Sequence, residues 1–282
     1  MTAPRTAFVL GGGGVLGAAE VGMLGALLDR GVVPDLVLGT SVGALNGALL
    51  AQDPVPAVVE RLTALWREAA TTRDVYGDGP LATVRRAVVT GTHLYSADPL
   101  TRRLRTELGD VRLEDLPVPL EVCASSIERA AEHWFTTGPV VDAVIASAAV
   151  PGLLPPARVG DEHFLDGGIT NSIPLGRAVS RGATRVFVLQ VGRIDRPLTV
   201  PRRPWEVARV SFEIARRHRF HRELAEAQDP PGRVEVHVLP AAGTSEKDDR
   251  LLSHRDFTDV ADRIEATRIA AGAYLDDAGV RA

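Results

Sequence analysis

Residues 10–17 read LGGGGVLG, and residues 38–43 read LGTSVG. Four consecutive glycines are of no use for side-chain packing, so something must come close to that backbone: a phosphate, a dinucleotide or a developing oxyanion. Gly12, Gly14 and Gly17 satisfy G-x-G-x-x-G between a strand-like and a helix-like run, the setting of a dinucleotide fingerprint. That fingerprint next requires an acidic residue at the end of the second strand, where this chain has Gly39-Thr40-Ser41. A phosphate-binding P-loop requires Gly-Lys-Ser/Thr after the glycines, and none follows.

The GTSVG stretch offers another use. Serine on a tight turn between strand and helix is a nucleophile elbow, and its flanking glycines, here Gly39 and Gly43, prevent collision with neighbouring backbone. If Ser41 attacks an ester carbonyl, negative charge builds on oxygen. Main-chain N–H groups of the glycine loop can be aimed at that charge, and losing one such donor costs about 100- to 1000-fold in rate. Helices starting near Gly17 and Val42 would turn their positive ends toward the same point.

A serine nucleophile needs a base. Among the seven histidines, the order serine, acid, histidine nominates His218, His221, His237 or His254. His218 and His221 fall in the arginine-rich run ARRHRFHREL, His237 alternates within a strand, and none follows a strand in a turn, so each reads as a surface or structural histidine. Asp166, in HFLDGGITNSIP, is the more persuasive partner, because Gly167-Gly168 lets the chain turn sharply and leaves the carboxylate projecting from a strand end. Asp-Gly is equally a hairpin signal, and pattern alone does not separate the two readings. A model aspartate with a pKa near 3.9 is a poor base for serine, so Asp166 should be enclosed, with desolvation beside Phe164, Leu165 and Ile169 raising it. Glu162 and His163 read as a hairpin edge.

These groups need a scaffold. Thr6 to Leu10 reads as a strand buried on both faces, GAAEVGMLGALLDRG as a helix ended by Gly31, Leu36 to Leu38 as a second strand, and Val42 to Gln52 as a second helix. This is a parallel α/β beginning, and it brings both glycine-bearing loops to one edge of the sheet. Further on, Val55 to Ala70 and Leu81 to Val89 read as amphipathic helices joined by the polar stretch TTRDVYGDGP, a candidate mobile loop near a site for which a plain surface connection is the favoured reading. Leu120 to Ile127, His133 to Thr136, Val186 to Val191 and Val234 to Leu239 read as strands, and Val140 to Ala149 as a helix. No repeat, linker or composition break appears, which favours one domain.

Composition narrows the classes. With 45% hydrophobic and 24% charged residues the chain has the make-up of a soluble globular protein, and a net charge of -4 gives no basic footprint for nucleic acid. Cys123 is the only cysteine, which excludes intramolecular disulfides and cysteine-rich metal sites, and it reads as a small buried hydrophobe. HExxH and CxxC are both absent. The run before the glycines is too short for a signal peptide, and the apolar stretch VVPDLVLGTSVGALNGALLA reads as strand, turn and helix, so a cytoplasmic protein is expected. VARVSFEIARRHRFHREL is an amphipathic helix whose arginines would suit peripheral contact with an anionic membrane; a solvated helix packed through Val207, Val210 and Ile214 is the favoured reading.

Taken in order and at these separations, GGGGVLG, GTSVG, SAAVPGLLPP and DGGITNSIP resemble the patatin-like phospholipases, specifically the short bacterial members. The resemblance covers residues 6 to about 192, with 193–282 expected as a C-terminal strand and helices packed on the same domain. It implies a three-layer α/β/α fold with a mainly parallel central sheet, and a Ser-Asp dyad in which Ser41 attacks the acyl carbonyl and Asp166 is the base. It also implies an oxyanion hole from the backbone of Gly12, Gly13 and Gly14, with Gly17, Gly39, Gly43, Gly167 and Gly168 supporting the motifs. No cofactor or metal is implied, and the substrate is a lipid or other fatty-acyl ester, cleaved as by a phospholipase A or lysophospholipase. Leu16 and Glu20 stand where the family often has arginine and histidine, which broadens the expected substrate from phospholipids to acyl esters generally. The alternatives are a non-catalytic or regulatory lipid-binding protein and, below it, a nucleotide-binding enzyme.

Overall fold

A computed structural model describes residues 5–71, 89, 91–191, 194, 197–229, 234–242 and 259–281. Its strands are β1 (Thr6–Leu10), β2 (Leu36–Thr40), β3 (Leu120–Ser126), β4 (Ala131–Phe135), β5 (Ala157–Val159), β6 (Glu162–Asp166), β7 (Arg185–Leu189) and β8 (Glu235–Val238). They form one sheet in the order β5-β6-β3-β2-β1-β7-β8, with β4 paired to β3. The pairs among β3, β2, β1, β7 and β8 are parallel, whereas β4 and β6 run antiparallel to β3 and β5 antiparallel to β6.

The helices are α1 (Ala18–Leu28), α2 (Val42–Gln52), α3 (Ala57–Thr71), α4 (Asp98–Leu108), α5 (Val140–Ser147), α6 (Gly168–Asn171), α7 (Leu175–Ser180), α8 (Pro204–Gln228) and α9 (Val260–Asp277). A strand's side chains alternate between faces, and both faces of β1 are apolar and buried. Phe8 and Leu10 pack with Leu24, Leu49, Leu62 and Ile264 beneath α1, α2, α3 and α9. Ala7 and Val9 pack with Leu175, Ala178 and Phe220 beneath α7 and α8. The result is three layers, as the resemblance implies. The small-residue stripe of α1 also has a purpose, since a Cβ on Gly22 would lie only 2.8 Å from the Arg268 main-chain nitrogen of α9.

One feature of the register governs everything at the site. Along β3, residues Leu120 to Cys123 pair with β2, and Ala124 to Ser126 pair with β6 on that same edge, because β4 occupies the opposite one. Thr40 stands opposite Cys123, and Asp166 opposite Ala124. Two strands of opposite direction therefore approach end to end, and the residue that follows Thr40 is Ser41.

One open alternative closes and two expectations change. Asp166-Gly167 is no hairpin turn: β6 ends there and the short helix α6 begins, while the hairpin is β5–β6, with Glu162 and His163 in it. Helix α4 was not anticipated. Helix α8 does not pack through Val207 and Ile214, which are 50% and 56% exposed; it turns Val210, Arg216, Phe220, Glu223 and Ala227 inward. Two of those five are charged, which is why an apolar-periodicity reading chose the wrong face. The expected helix over residues 81–89, Val89 apart, the polar stretch 72–80 and His254 lie outside the described residues.

Candidate active site

Ser41 caps the N-terminus of α2 with φ 55° and ψ -121°. Apart from Ala130 it is the only non-glycine among the described residues with positive φ, a strained conformation that persists only where its surroundings enforce it. The enforcement is visible. The Ser41 N–H donates to Ser147 Oγ at 2.7 Å, Ser147 Oγ donates to the Cys123 carbonyl at 2.5 Å, and Thr40 Oγ1 donates to the Asn171 carbonyl at 2.9 Å. Gly43 lies against the β1 end: a Cβ there would meet the Leu10 carbonyl carbon at 2.5 Å and the Gly11 oxygen at 2.8 Å. Gly39 is pressed in the same way against the first turn of α2, with Ala44 Cα 2.5 Å from its would-be Cβ.

Ser41 Oγ donates to Asp166 Oδ2 at 2.6 Å, and Asp166 Oδ1 accepts the Gly168 N–H at 2.7 Å. The Asp166 backbone is fixed too, by its N–H to the Ala149 carbonyl and its carbonyl to Ser125 Oγ, both at 2.9 Å. Gly167 is required because a side chain would run into the Cys123 carbonyl. Asp166 is 7% exposed, and burial pushes its carboxyl up from the ordinary 3.8 to about 6, against the lowering pull of the Ser41 and Gly168 hydrogen bonds. The expected enclosure is present, although Ile169, named as part of it, is 43% exposed.

The glycine loop lies beside this pair. Gly12 packs against Ser41, its would-be Cβ 3.5 Å from Ser41 Cβ, but its N–H donates to the Ser172 carbonyl at 2.9 Å. Of the three expected backbone donors, Gly12 thus already has a main-chain acceptor. Among the described residues the Gly13 and Gly14 N–H groups donate to no main-chain acceptor. Gly14 has φ 57°, suited to glycine, while Gly13 is backed by the Val191 side chain and Gly17 by that of Val42. Gly168 packs against Phe212 of α8.

A cavity of about 180 Å³ opens at Ser41 and Gly14, walled by Leu45, Leu49, Leu62, Trp66, Leu104 and Leu153 among others, with Arg103 and Glu107 also lining it. One wall is braced from beneath: Trp66 Nε1 donates to Asn46 Oδ1 at 3.1 Å, and Asn46 Nδ2 donates to Glu20 Oε2 at 2.7 Å and to the Gly17 carbonyl at 3.0 Å. Glu20, buried with its Oε1 unpartnered, is held well above the carboxylate range, chiefly by desolvation. Its position under the loop belongs to this brace.

The candidate histidines among the described residues stand elsewhere. His218 and His221 are exposed on α8, and His237 in β8 stacks on Phe187 and bonds Glu235 at 2.8 Å. Cys123 is buried, its thiol pushed up to about 12 by desolvation. Among the described residues no group of three or more His, Cys, Asp or Glu side chains is placed to hold a metal ion, and no helix is long and apolar enough to cross a membrane. Ser147, which orients the elbow, carried no separate signal beyond opening the run SAAVPGLLPP.

A family model described as patatin-like phospholipase matches residues 8–179. Patatin-like phospholipase domain-containing protein 7 of Mus musculus is 32% identical over 197 residues, covering 69% of this chain and 14% of that protein. Lysophospholipase NTE1 of Candida glabrata is 29% identical over 195 residues, covering 66% of this chain and 10% of that protein. The chain thus spans about a seventh or less of the length of these relatives. The crystal structure of VipD from Legionella pneumophila aligns with a TM-score of 0.47 and 15% identity, over 97% of this chain and 67% of that one.

Proposed function

Because the chain belongs to the patatin-like phospholipase family, we propose that it is a serine acyl-ester hydrolase working through Ser41 and Asp166. The observation that carries the reading is the 2.6 Å hydrogen bond from Ser41 Oγ, which lines an apolar cavity, to a buried carboxylate. Asp166 takes the hydroxyl proton as Ser41 Oγ bonds to the acyl carbon, and the carbonyl oxygen becomes an oxyanion facing the N–H groups of Gly13 and Gly14. Collapse of that intermediate expels the alcohol, which leaves with the proton from Asp166, and an acyl-serine remains. Water then attacks the acyl carbon while Asp166 takes its proton; Ser41 regains the proton and the fatty acid is freed. A carboxyl near 6 is ionised at neutral pH yet far more basic than an ordinary aspartate, which is what this role demands.

The cavity's apolar lining supports an acyl chain as its occupant, and the substrate is a fatty-acyl ester of phospholipase A or lysophospholipase type. Peripheral contact with a lipid surface belongs to the same reading, since Val207 and Ile214 on α8 are exposed and Arg202 and Arg203 are exposed just before the helix.

Labelling by a fluorophosphonate tests the nucleophile. Wild type should label and hydrolyse nitrophenyl esters, Ser41→Ala should do neither, and Asp166→Asn should lose about 100- to 10,000-fold in hydrolysis. An unlabelled, inactive wild type that still binds fatty-acyl lipid would instead establish the non-catalytic role.

A further inference from the structure

Arg216 is a buried cation that the proposed chemistry leaves unused, its side chain 4% exposed in the middle of α8. Sequestering a guanidinium from water is expensive unless every donor is used. The use made of it here is specific. Nη2 donates to the Val191 carbonyl at 2.8 Å and lies 3.5 Å from the Gly12 carbonyl oxygen, Nε donates to Ser172 Oγ at 3.0 Å, and Nη1 meets Glu213 at 3.3 Å. One planar group therefore joins three chain segments that converge on the glycine loop: the loop itself, the residue after α6 and the chain just beyond β7.

The Gly12 carbonyl and the Gly13 N–H are opposite ends of a single planar trans peptide unit, so a partner that holds the oxygen fixes the direction of the hydrogen. With glycine on both sides, no side chain resists rotation of that plane. A flipped unit would present a carbonyl dipole to the oxyanion in place of a donor. The neighbouring unit has its own restraint, since the Gly13 carbonyl accepts the Leu16 N–H at 3.2 Å within the 3-10 turn Gly14–Gly17. Preceding it, the Gly12 N–H is tied to the Ser172 carbonyl. For the Gly12–Gly13 unit, the side-chain partner of the carbonyl is Arg216. At 3.5 Å the contact acts more as charge on dipole than as a strong hydrogen bond, and a cation at the carbonyl end also polarises the N–H end into a better donor.

We propose that Arg216 is a positioning residue for oxyanion stabilisation: from a helix some two hundred residues distant in sequence, it orients the peptide unit whose Gly13 N–H receives the charge. The inference rests on Ser41 being the acylated nucleophile, and it assigns Arg216 no contact with substrate.

The test compares a nitrophenyl ester with its thiono counterpart, because sulfur on the reacting carbon accepts hydrogen bonds from an oxyanion site poorly. Wild type should prefer the oxygen ester strongly. Arg216→Lys keeps a charge but not the planar fork; its kcat on the oxygen ester should fall about 10- to 100-fold, short of the loss of a whole donor, with KM within about twofold. The oxygen-to-sulfur preference should shrink by the same factor, and the acid limb of the rate profile should not move, since Arg216 does not touch Asp166. Should Arg216→Lys fail to fold, Ser172→Ala removes the hydroxyl acceptor of Nε while keeping the carbonyl that holds Gly12, and it should lower the preference in the same direction. A variant that loses rate equally on both esters, or keeps wild-type kcat, overturns the proposal. If wild type cleaves neither ester, the hydrolase reading itself falls, a result distinguishable from an active wild type with an indifferent Arg216.

Discussion

Asp166→Asn should make the protein more stable at neutral pH while removing its activity. Burial raises the carboxyl from 3.8 to about 6, and at about 1.4 kcal/mol per unit the folded chain disfavours the ionised form by about 3 kcal/mol. For an acid whose folded pKa is raised, the associated stability is fully present below the unfolded value and is lost as pH climbs through the folded one. The native state therefore carries this burden above about pH 6 and is free of it below about pH 4. Asparagine has the same shape, keeps an oxygen for the Gly168 N–H and has no charge to bury. Thermal unfolding at about pH 8 should show the variant melting higher by on the order of 5 °C, with the gap closing toward about pH 4. In parallel, wild-type kcat/KM on a neutral ester should rise about tenfold from pH 5 to pH 7, where an ordinary aspartate would already be ionised throughout. An ordinary histidine titrates nearby, so His→Asn changes at His218, His221, His237 and His254 are the control and should leave the limb in place. A melting gain of equal size at both pH values, or none at about pH 8, would refute the desolvation argument.

Gly43→Ala should cost about 1–3 kcal/mol, because the added methyl presses on the Leu10 and Gly11 main chain, and a melting temperature within a degree of wild type would contradict the close approach. Leu45→Trp should fill the cavity and lower kcat/KM on long-chain nitrophenyl esters about tenfold more than on the butyrate, with equal losses counting against an acyl-chain channel. Val207→Ser combined with Ile214→Ser should weaken sedimentation with anionic phospholipid vesicles several-fold and spare hydrolysis of soluble esters; unchanged sedimentation would remove α8 from any lipid contact.

Much of the site is legible in the sequence because its demands are local. A serine between strand and helix needs its two neighbouring glycines, and Gly39 and Gly43 each turn out to face main chain at contact distance. The strands β1, β2 and β3 and the helix α2 are readable for a related reason, since buried parallel strands are short apolar runs bounded by turn residues. Asp166 stayed ambiguous because Asp-Gly serves hairpins as well as strand ends, and what decides it is the register of β6 on β3, a pairing some forty residues apart in sequence.

What stayed hidden depends on long-range contacts. The Gly12 N–H bonds the Ser172 carbonyl, and Ser147 supports Ser41 from more than a hundred residues away. Neither leaves a pattern. The inward face of α8 was misjudged because Arg216 and Glu223 are buried by pairing rather than by hydrophobicity, and periodicity counts only the latter.

Cys123 offers a practical consequence of the way β2 and β6 share an edge. Its backbone is paired to Thr40 on one side and Trp134 on the other, its carbonyl accepts the Ser147 hydroxyl, its thiol is fully buried beside the Gly167 carbonyl, and burial pushes that thiol up to about 12, so alkylating reagents should find almost no thiolate in the closed molecule. Whatever modification does occur must wait for the sheet to part at the junction that presents Ser41 to Asp166. The lone thiol is therefore a built-in clock for that breathing motion, and its labelling rate times the opening of this junction without any probe having to be engineered in.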